Sequence, residues 1–193
     1  MSNHGPTPLW LARHDRGAAA KPPLEPCGSV REAMPRLSAG LLVYRWIEGT
    51  LEVLLVHPGG PYWAKRDDGA WSLPKGEHGS GEDPFAVAIR EFREELGVDP
   101  PNDRSPTSLG ELRQPSGKRV SAWALAGDLD VGAVQSNTFM MEWPPGSRTI
   151  REFPEVDRAG WFGLEAARRK LLPGQVGFLD RLSELVRGGE PDP

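Results

Sequence analysis

Residues 83–97 carry the signals of one complete amphipathic helix. Asp83 is a favourable N-cap, Pro84 suits the first helical position, and Gly97 is typical of a helix end. The spacing therefore predicts a helix over residues 84–96. Its apolar residues recur at intervals that place them on one face, namely Phe85, Ile89, Phe92 and Leu96. A helix with such a face has to bury it, so this segment must lie against the core of its domain.

The same helix carries three glutamates, Glu91, Glu94 and Glu95, outside the apolar face. They occupy an arc of roughly 100° by helical geometry. Like charges this close on a helix repel each other. A bound cation removes the repulsion, and carboxylate oxygens are ligands that Mg²⁺ prefers. We therefore predict that the three glutamates bind a divalent metal rather than form an ordinary solvated surface.

These residues belong to a longer pattern over residues 76–98, GEHGSGEDPFAVAIREFREELGV. Gly76 opens it, Glu82 precedes the helix, and Arg90 begins the cluster of charges. The pattern resembles the Nudix box at every defined position of that motif. The order of the predicted elements over residues 37–185 is similar to that family as well. The resemblance implies an α/β fold, the Nudix α/β/α sandwich with a mixed central sheet.

The resemblance also implies a Mg²⁺-dependent hydrolase, with Mn²⁺ as a substitute, that cleaves a phosphoanhydride bond in a nucleoside diphosphate-linked substrate. That substrate is a small nucleotide, either a nucleoside triphosphate or a dinucleoside polyphosphate. Such a reaction depends mainly on positioning and charge neutralisation. The catalytic residues expected from the motif are Glu94, Glu91 and Arg90, with Arg90 holding the Glu94 carboxylate. Glu95 joins Glu91 and Glu94 as a metal ligand.

The general base is left open between a box glutamate and an acid outside the box. Members of the family often carry an acidic residue several positions before a Trp-Phe strand. Glu155 stands six positions before Trp161 and is the first candidate as ligand or base, with Glu152 behind it. Glu82 is expected to brace the loop before the helix rather than to bind metal.

The segment WSLPKGE at residues 71–77 resembles the start of the box in diadenosine tetraphosphate hydrolases and diphosphoinositol polyphosphate phosphohydrolases. A lysine before the glycine approaches the phosphate chain in those families, so Lys75 is the first candidate for a phosphate contact. Residues 58–68 and 136–162 are similar to a bacterial branch of predicted nucleoside triphosphate pyrophosphohydrolases. Weaker basic candidates are Lys65, Arg66, Lys118, Arg119, Arg148 and Arg151.

The chain has seven tryptophans, and nucleobases stack on aromatic faces. Tyr62 and Trp63 lie in a long loop rich in glycine and proline, and long loops often carry function. These two residues and Trp143 are the predicted base-binding residues. Three others lie in strand-like patterns and are expected in the core: Trp71, Trp123 and Trp161.

The length of 193 residues and the 38% hydrophobic content fit one globular domain. The first 35 residues are rich in proline and alanine, so we expect a flexible tail over residues 1–35, with Met34 as an alternative translation start. The Nudix domain is then expected over residues 36–188, with a short C-terminal tail over residues 189–193. The other predicted elements are strands at 41–44, 51–56, 109–113, 119–126, 138–143 and 159–162, and helices at 164–171 and 176–186.

The net charge of −4 argues against an extended nucleic-acid surface. A single cysteine leaves no internal disulfide, and no apolar run reaches the roughly 20 residues of a membrane span. We therefore expect a cytoplasmic enzyme that acts on a small molecule, with its oligomeric state left open. Two alternatives remain. One is a non-catalytic Nudix-fold nucleotide sensor, which the complete set of box glutamates disfavours, and the other is an RNA 5′-end pyrophosphohydrolase.

Overall fold

The structure is a computed structural model that describes residues 36–102 and 104–188. The two predicted tails lie outside these residues. The described part contains eight strands and three α-helices. The strands are β1 (Leu37–Ile47), β2 (Thr50–Pro58), β3 (Lys75–His78), β4 (Thr107–Arg113), β5 (Arg119–Ala126), β6 (Thr138–Glu142), β7 (Ile150–Pro154) and β8 (Val156–Gly163). The helices are α1 (Pro84–Leu96), α2 (Leu164–Lys170) and α3 (Gly177–Gly188).

Six of these strands form one mixed sheet in the order β4-β5-β1-β2-β8, and β3 pairs with the first half of β1. β1 runs parallel to β5, while its pairings with β2 and β3 are antiparallel. β1 and β2 form the predicted hairpin, whose turn contains Glu48 and Gly49, both with positive φ. β6 and β7 form a separate two-stranded sheet.

Helices cover both faces of the large sheet. On one face α1 packs on the central strands in a cluster that includes Val87, Phe92, Leu96, Leu41 and Leu54. On the other face α2 and α3 pack in a second cluster that includes Ala167, Phe178, Leu179, Leu42 and Leu55. Successive residues of β1 thus point to opposite layers, as the pleat of a strand requires. The predicted α/β/α sandwich is confirmed.

The bounds of α1 are those that the sequence predicts. The Asp83 side chain accepts a hydrogen bond from the backbone N–H of Phe85, which caps the first turn. Gly97 ends the helix in the left-handed region, with φ at 68°, and donates its N–H to the Arg93 carbonyl. None of the helices in residues 36–102 and 104–188 has the length and apolar character needed to cross a membrane.

The predicted apolar face of α1 needs one correction. Phe92 and Leu96 are fully buried, whereas Phe85 and Ile89 are only partly buried. Phe85 lies against the ring of Trp123, with the ring centroids 5.4 Å apart, at the margin of the cluster rather than inside it. The remaining buried positions of the helix are Val87 and Ala88.

Two short strands were absent from the sequence prediction. β3 reads KGEH and has no apolar alternation, so it forms only because β1 offers it a partner, with Gly76 opposite Ala39 and Lys75 opposite Gly40. A side chain at Gly40 would overlap the Pro74 carbonyl and the Lys75 side chain. Glycine at this position therefore lets β3 approach the sheet. β7 likewise forms because β6 is present as its pairing partner.

Candidate active site

The pairing of β3 with β1 places Lys75 and Gly76 directly beside α1. The backbone N–H of Lys75 donates to Oε2 of Glu95 at 3.1 Å. The carboxylate of Glu91 lies so close over Gly76 that any side chain at position 76 would overlap it. The first residues of β3 and two of the box glutamates therefore form one compact unit.

Arg90 organises the acids at the outer edge of this unit. Its Nη2 donates to Oε1 of Glu91 at 2.8 Å, and its Nη1 donates to Oε1 of Glu82 at 3.2 Å. Oε1 of Glu94 lies farther away, 3.9 Å from Nε of Arg90. The main partner of Arg90 is thus Glu91 rather than the predicted Glu94. Glu82 also accepts the N–H of Gly79 at 2.7 Å, which confirms that it braces the loop.

The buried charges of this unit influence each other. Burial raises the pKa of the Glu95 carboxyl to about 8, although the nearby Lys75 charge and the Lys75 N–H partly oppose the shift. Burial also lowers the pKa of the Lys75 ammonium, which the negative charges of Glu95 and Glu91 oppose. The pKa of Glu155 is raised by burial and by the negative charges of Glu91 and Glu94. The acids predicted to act together are therefore electrostatically coupled.

A cavity of about 210 Å³ opens beside these residues. Its lining includes Lys75, Glu95, Glu155, Trp63, Glu77 and Lys118. Glu155 reaches it from the junction between β7 and β8, so one of the two acids outside the box faces this cavity. The other, Glu152, lies elsewhere and accepts a hydrogen bond from the hydroxyl of Thr138.

A basic patch on the cavity wall was mostly missed from the sequence. Lys118 is only 9% exposed, and its ammonium donates to Oε1 of Glu77 at 2.9 Å. Nη1 of Arg36 lies 3.5 Å from the same oxygen. Lys118 was one of six weak basic candidates, whereas Glu77 and Arg36 were not candidates. Pairing between β3, β1 and β5 brings these three together, so no local sequence signal marks them.

The predicted aromatic residues separate into two groups. Trp63 lines the cavity beside Glu155. Tyr62 is 53% exposed and meets Trp143 edge to face, with 5.1 Å between the ring centroids. Trp71 is buried as expected, whereas the other two tryptophans expected in the core are only partly buried: Trp123 and Trp161.

The acids of this region have the chemistry of a site for a hard divalent cation. Every candidate ligand is a carboxylate, and the raised pKa values of Glu95 and Glu155 show that added positive charge would stabilise the ionised forms. Within residues 36–102 and 104–188, no three acidic, histidine or cysteine side chains converge on a single point. Glu91 instead accepts a hydrogen bond from Arg90, and Glu95 accepts one from the backbone N–H of Lys75. The assignment of the box glutamates as metal ligands therefore stays a prediction.

The sequence matches the NUDIX domain family model over residues 34–182, which is most of the chain. The chain belongs to the Nudix family. The box of this Nudix protein begins on β3, where Gly76 accommodates Glu91, and ends with the C-cap of α1. Its glycines and its arginine thus have structural roles, whereas Glu95 lines the cavity.

Curated and solved Nudix relatives give further points of comparison. The asymmetrical bis(5′-nucleosyl)-tetraphosphatase of Caenorhabditis elegans is 38% identical over 61 residues, which are 32% of this chain and 40% of that protein. The match therefore spans less than half of the relative's length. A crystal structure of a C. elegans Ap4A hydrolase binary complex superposes with a TM-score of 0.54 at 25% identity, covering 78% of this chain and 98% of the other.

A second solved structure is the NUDIX domain of Shewanella oneidensis NrtR complexed with ADP ribose. It has a TM-score of 0.54 at 17% identity and covers 79% of this chain and 88% of the other. A mutT/nudix family protein from Listeria innocua has a TM-score of 0.51, also at 17% identity, over 81% of this chain and 97% of the other. These two similarities establish the shared fold.

Proposed function

We propose that this protein is a Mg²⁺-dependent pyrophosphohydrolase that cleaves a phosphoanhydride bond in a nucleoside diphosphate-linked substrate. The observation that carries the proposal is the cavity in which Lys75 meets Glu95 and Glu155. The cavity holds the Lys75 ammonium, which can bind phosphate, beside two carboxyl groups whose pKa values are raised, so that their ionised forms need a nearby positive charge. A bound metal would supply positive charge to the carboxylates, and the phosphate chain would supply negative charge to Lys75.

In this proposal Glu91, Glu94 and Glu95 hold the metal. Mg²⁺, or Mn²⁺ in its place, would neutralise phosphate charge and make the attacking water more acidic. Arg90 keeps Glu91 in position through their 2.8 Å bond. Glu155, whose pKa burial raises, is suited to accept the proton of that water as general base.

The basic residues of the cavity would receive the phosphates. Lys75 lies beside the acids, and Lys118 with Arg36 lies along the wall at Glu77. The presence of three cations in one cavity lining favours a substrate with several linked phosphates, because each further phosphate adds negative charge for them to neutralise.

The similarity to Ap4A hydrolase makes a dinucleoside tetraphosphate the first substrate to test. Trp63 lines the cavity, and we propose that its ring contacts one nucleobase. The exposed Tyr62 and the half-buried Trp143 form a second aromatic pair, which we propose for the other base. We propose the cytoplasm as the compartment, in keeping with the single cysteine of the chain.

The test is a panel of substrates with Mg²⁺ or Mn²⁺ and identification of products by mass. The panel holds nucleoside triphosphates, dinucleoside tetraphosphates, nucleotide sugars, ADP-ribose and RNA with a 5′-triphosphate. Turnover of one or more nucleotides, lost in Glu94→Gln and kept in the exposed α3 variant Glu184→Gln, supports the proposal. Saturable binding of a nucleotide without turnover identifies a sensor instead. Exclusive turnover of the RNA identifies the 5′-end pyrophosphohydrolase.

A further inference from the structure

His57 lies near the end of β2 and is completely buried. Both of its ring nitrogens have an oxygen partner. Nδ1 lies 2.6 Å from Oδ1 of Asp157, and Nε2 lies 2.8 Å from the backbone carbonyl oxygen of Arg66. The ring also meets Trp71 edge to face at 5.2 Å between centroids. The completely buried imidazole therefore has one short polar contact at each ring nitrogen.

The identity of the two oxygens determines which ring nitrogens carry hydrogen. A backbone carbonyl only accepts hydrogen bonds, so Nε2 of His57 has to donate to Arg66. Nδ1 then faces the Asp157 carboxylate, which accepts as well, and a second proton lies between these two groups. The arrangement fits an imidazolium paired with a carboxylate, the form in which a buried charge is tolerated.

The two partners of His57 lie on different segments of the chain, and each segment also contributes residues to the cavity lining. Asp157 is two residues beyond Glu155 on β8, and Arg66 lies in the loop over residues 59–70. Within that loop the N–H of Arg66 donates to the Trp63 carbonyl at 2.7 Å. The Arg66 guanidinium also lies 5.3 Å from the centre of the Trp63 ring. His57 thus connects the strand that follows Glu155 to the loop segment that carries Trp63.

Other charged groups face this region from neighbouring elements. Asp67 of the same loop accepts hydrogen bonds from the Trp71 indole and from Lys170 of α2, both at 2.8 Å. Arg158 of β8 lies 3.4 Å from the Asp157 carboxylate. Asp67 and Lys170 hold the end of the loop beyond Arg66, and the N–H of Gly59 holds its start by donating to the Glu155 carbonyl at 2.9 Å. His57 adds the contact at Arg66 between these two points.

We propose that His57 is a positioning residue that, by donating from both ring nitrogens, holds the loop that carries Trp63 against the strand that follows Glu155. Because Trp63 and Glu155 both line the cavity that binds the nucleotide in the proposed function, His57 acts on substrate affinity without touching substrate. The part of the inference that concerns substrate rests on that proposed function. The hydrogen-bond arrangement of the ring does not.

Two substitutions separate the contacts of the ring. The amide nitrogen of asparagine replaces Nδ1, so His57→Asn keeps the Asp157 contact and releases Arg66. The amide nitrogen of glutamine replaces Nε2, so His57→Gln keeps Arg66. We expect His57→Asn to raise KM about tenfold, the effect of one lost hydrogen bond, with kcat little changed. His57→Gln, which releases Asp157 instead, should raise KM by a similar factor. Equal KM in wild type and both variants would overturn the proposal.

Asp157→Asn and Asp68→Asn form a matched pair, since each removes one negative charge beside the loop. Asp68 is exposed and 4.0 Å from Lys170, so its variant should bind substrate like the wild type. Asp157→Asn should raise KM as His57→Asn does. A thermal unfolding curve for each variant shows whether it is folded, and Asp157→Asn tests the proposal even if neither His57 variant folds. Similar KM values for the two aspartate variants would contradict it.

A measurement independent of activity is nitrogen NMR of the histidine rings in the full chain, with the His57 signals assigned by their loss in His57→Gln. The two acceptor oxygens predict hydrogen on both ring nitrogens of His57. A bare ring nitrogen would overturn the proposal. If no nucleotide is turned over, the proposed function fails, while these signals still decide how His57 is bonded.

Discussion

The carboxylate of Glu91 occupies the space in which a side chain at Gly76 would begin. Gly76→Ala should therefore displace Glu91 from its place beside β3 and from Arg90. We expect activity to fall about 10- to 100-fold, a loss typical of disturbing the surroundings of a metal ligand, while thermal stability changes little. Gly81 in the same loop has open space around its Cβ position, so Gly81→Ala is the control. Equal activity of the two variants would contradict this role of Gly76.

Arg90 binds Glu91 and Glu82 with separate nitrogens of one planar group. Lysine keeps the charge but offers no such fork. Arg90→Lys is therefore expected to weaken Mg²⁺ binding and to raise the half-saturating Mg²⁺ concentration about 10- to 100-fold. The control is Arg93→Lys, since Arg93 lies on the same helix but pairs with Asp99, beyond the helix end. A Mg²⁺ titration of the initial rate measures both, and an unshifted titration in Arg90→Lys would show that Arg90 does not organise the ligands.

The pKa of Glu95, raised by burial to about 8, predicts a pH dependence of metal binding. Below that value the metal-free carboxyl is protonated, and a cation can bind it only after the proton leaves. Mg²⁺ affinity should therefore rise with pH and level off above about pH 8. Calorimetry in two buffers of different ionisation enthalpy should detect proton release at neutral pH in the wild type. In Glu95→Gln this release should disappear, and its persistence would assign the proton to another group.

Gln175 is fully buried, and its side-chain oxygen accepts the N–H of Leu73 at 3.1 Å. Its amide group also bonds the Ser72 hydroxyl, at 3.1 Å. Gln175→Leu leaves the Leu73 N–H without a partner, so we expect the free energy of unfolding to fall by about 1–3 kcal/mol. Urea denaturation measures the loss. The exposed Gln135→Leu should change stability by less than about 0.5 kcal/mol, and a comparable loss in both variants would contradict a specific role of the buried amide.

Elements with complete local signals could be predicted from the sequence. Asp83, Pro84 and Gly97 fixed both ends of α1, and the limits of β5 were equally clear from its apolar run. β3 and β7 were missed because their residues carry no such pattern and become strands only when a partner strand is present. The fold class was predictable because the box helix and the apolar runs together specify a layered domain.

The candidate site was predictable where its residues belong to the motif and much less so elsewhere. Lys75 and Glu155 were identified by their positions relative to recognisable segments, and both line the cavity. The pair of Lys118 and Glu77 is 41 residues apart in sequence, and His57 and Asp157 are 100 apart. Contacts of this kind arise from sheet pairing and loop packing, so no local spacing of residues in the sequence predicts them.

The most direct test of the proposed hydrolase is incubation of a diadenosine tetraphosphate with Mg²⁺ in water enriched in heavy oxygen, followed by mass analysis of every product. We predict cleavage to smaller adenine nucleotides, with the heavy oxygen in one product of each cleavage, and loss of both results in Glu94→Gln. The position of the label also identifies the phosphorus that is attacked. Absence of cleavage with this and every other nucleotide of the panel, with either Mg²⁺ or Mn²⁺ and a folded protein, would contradict the proposed activity.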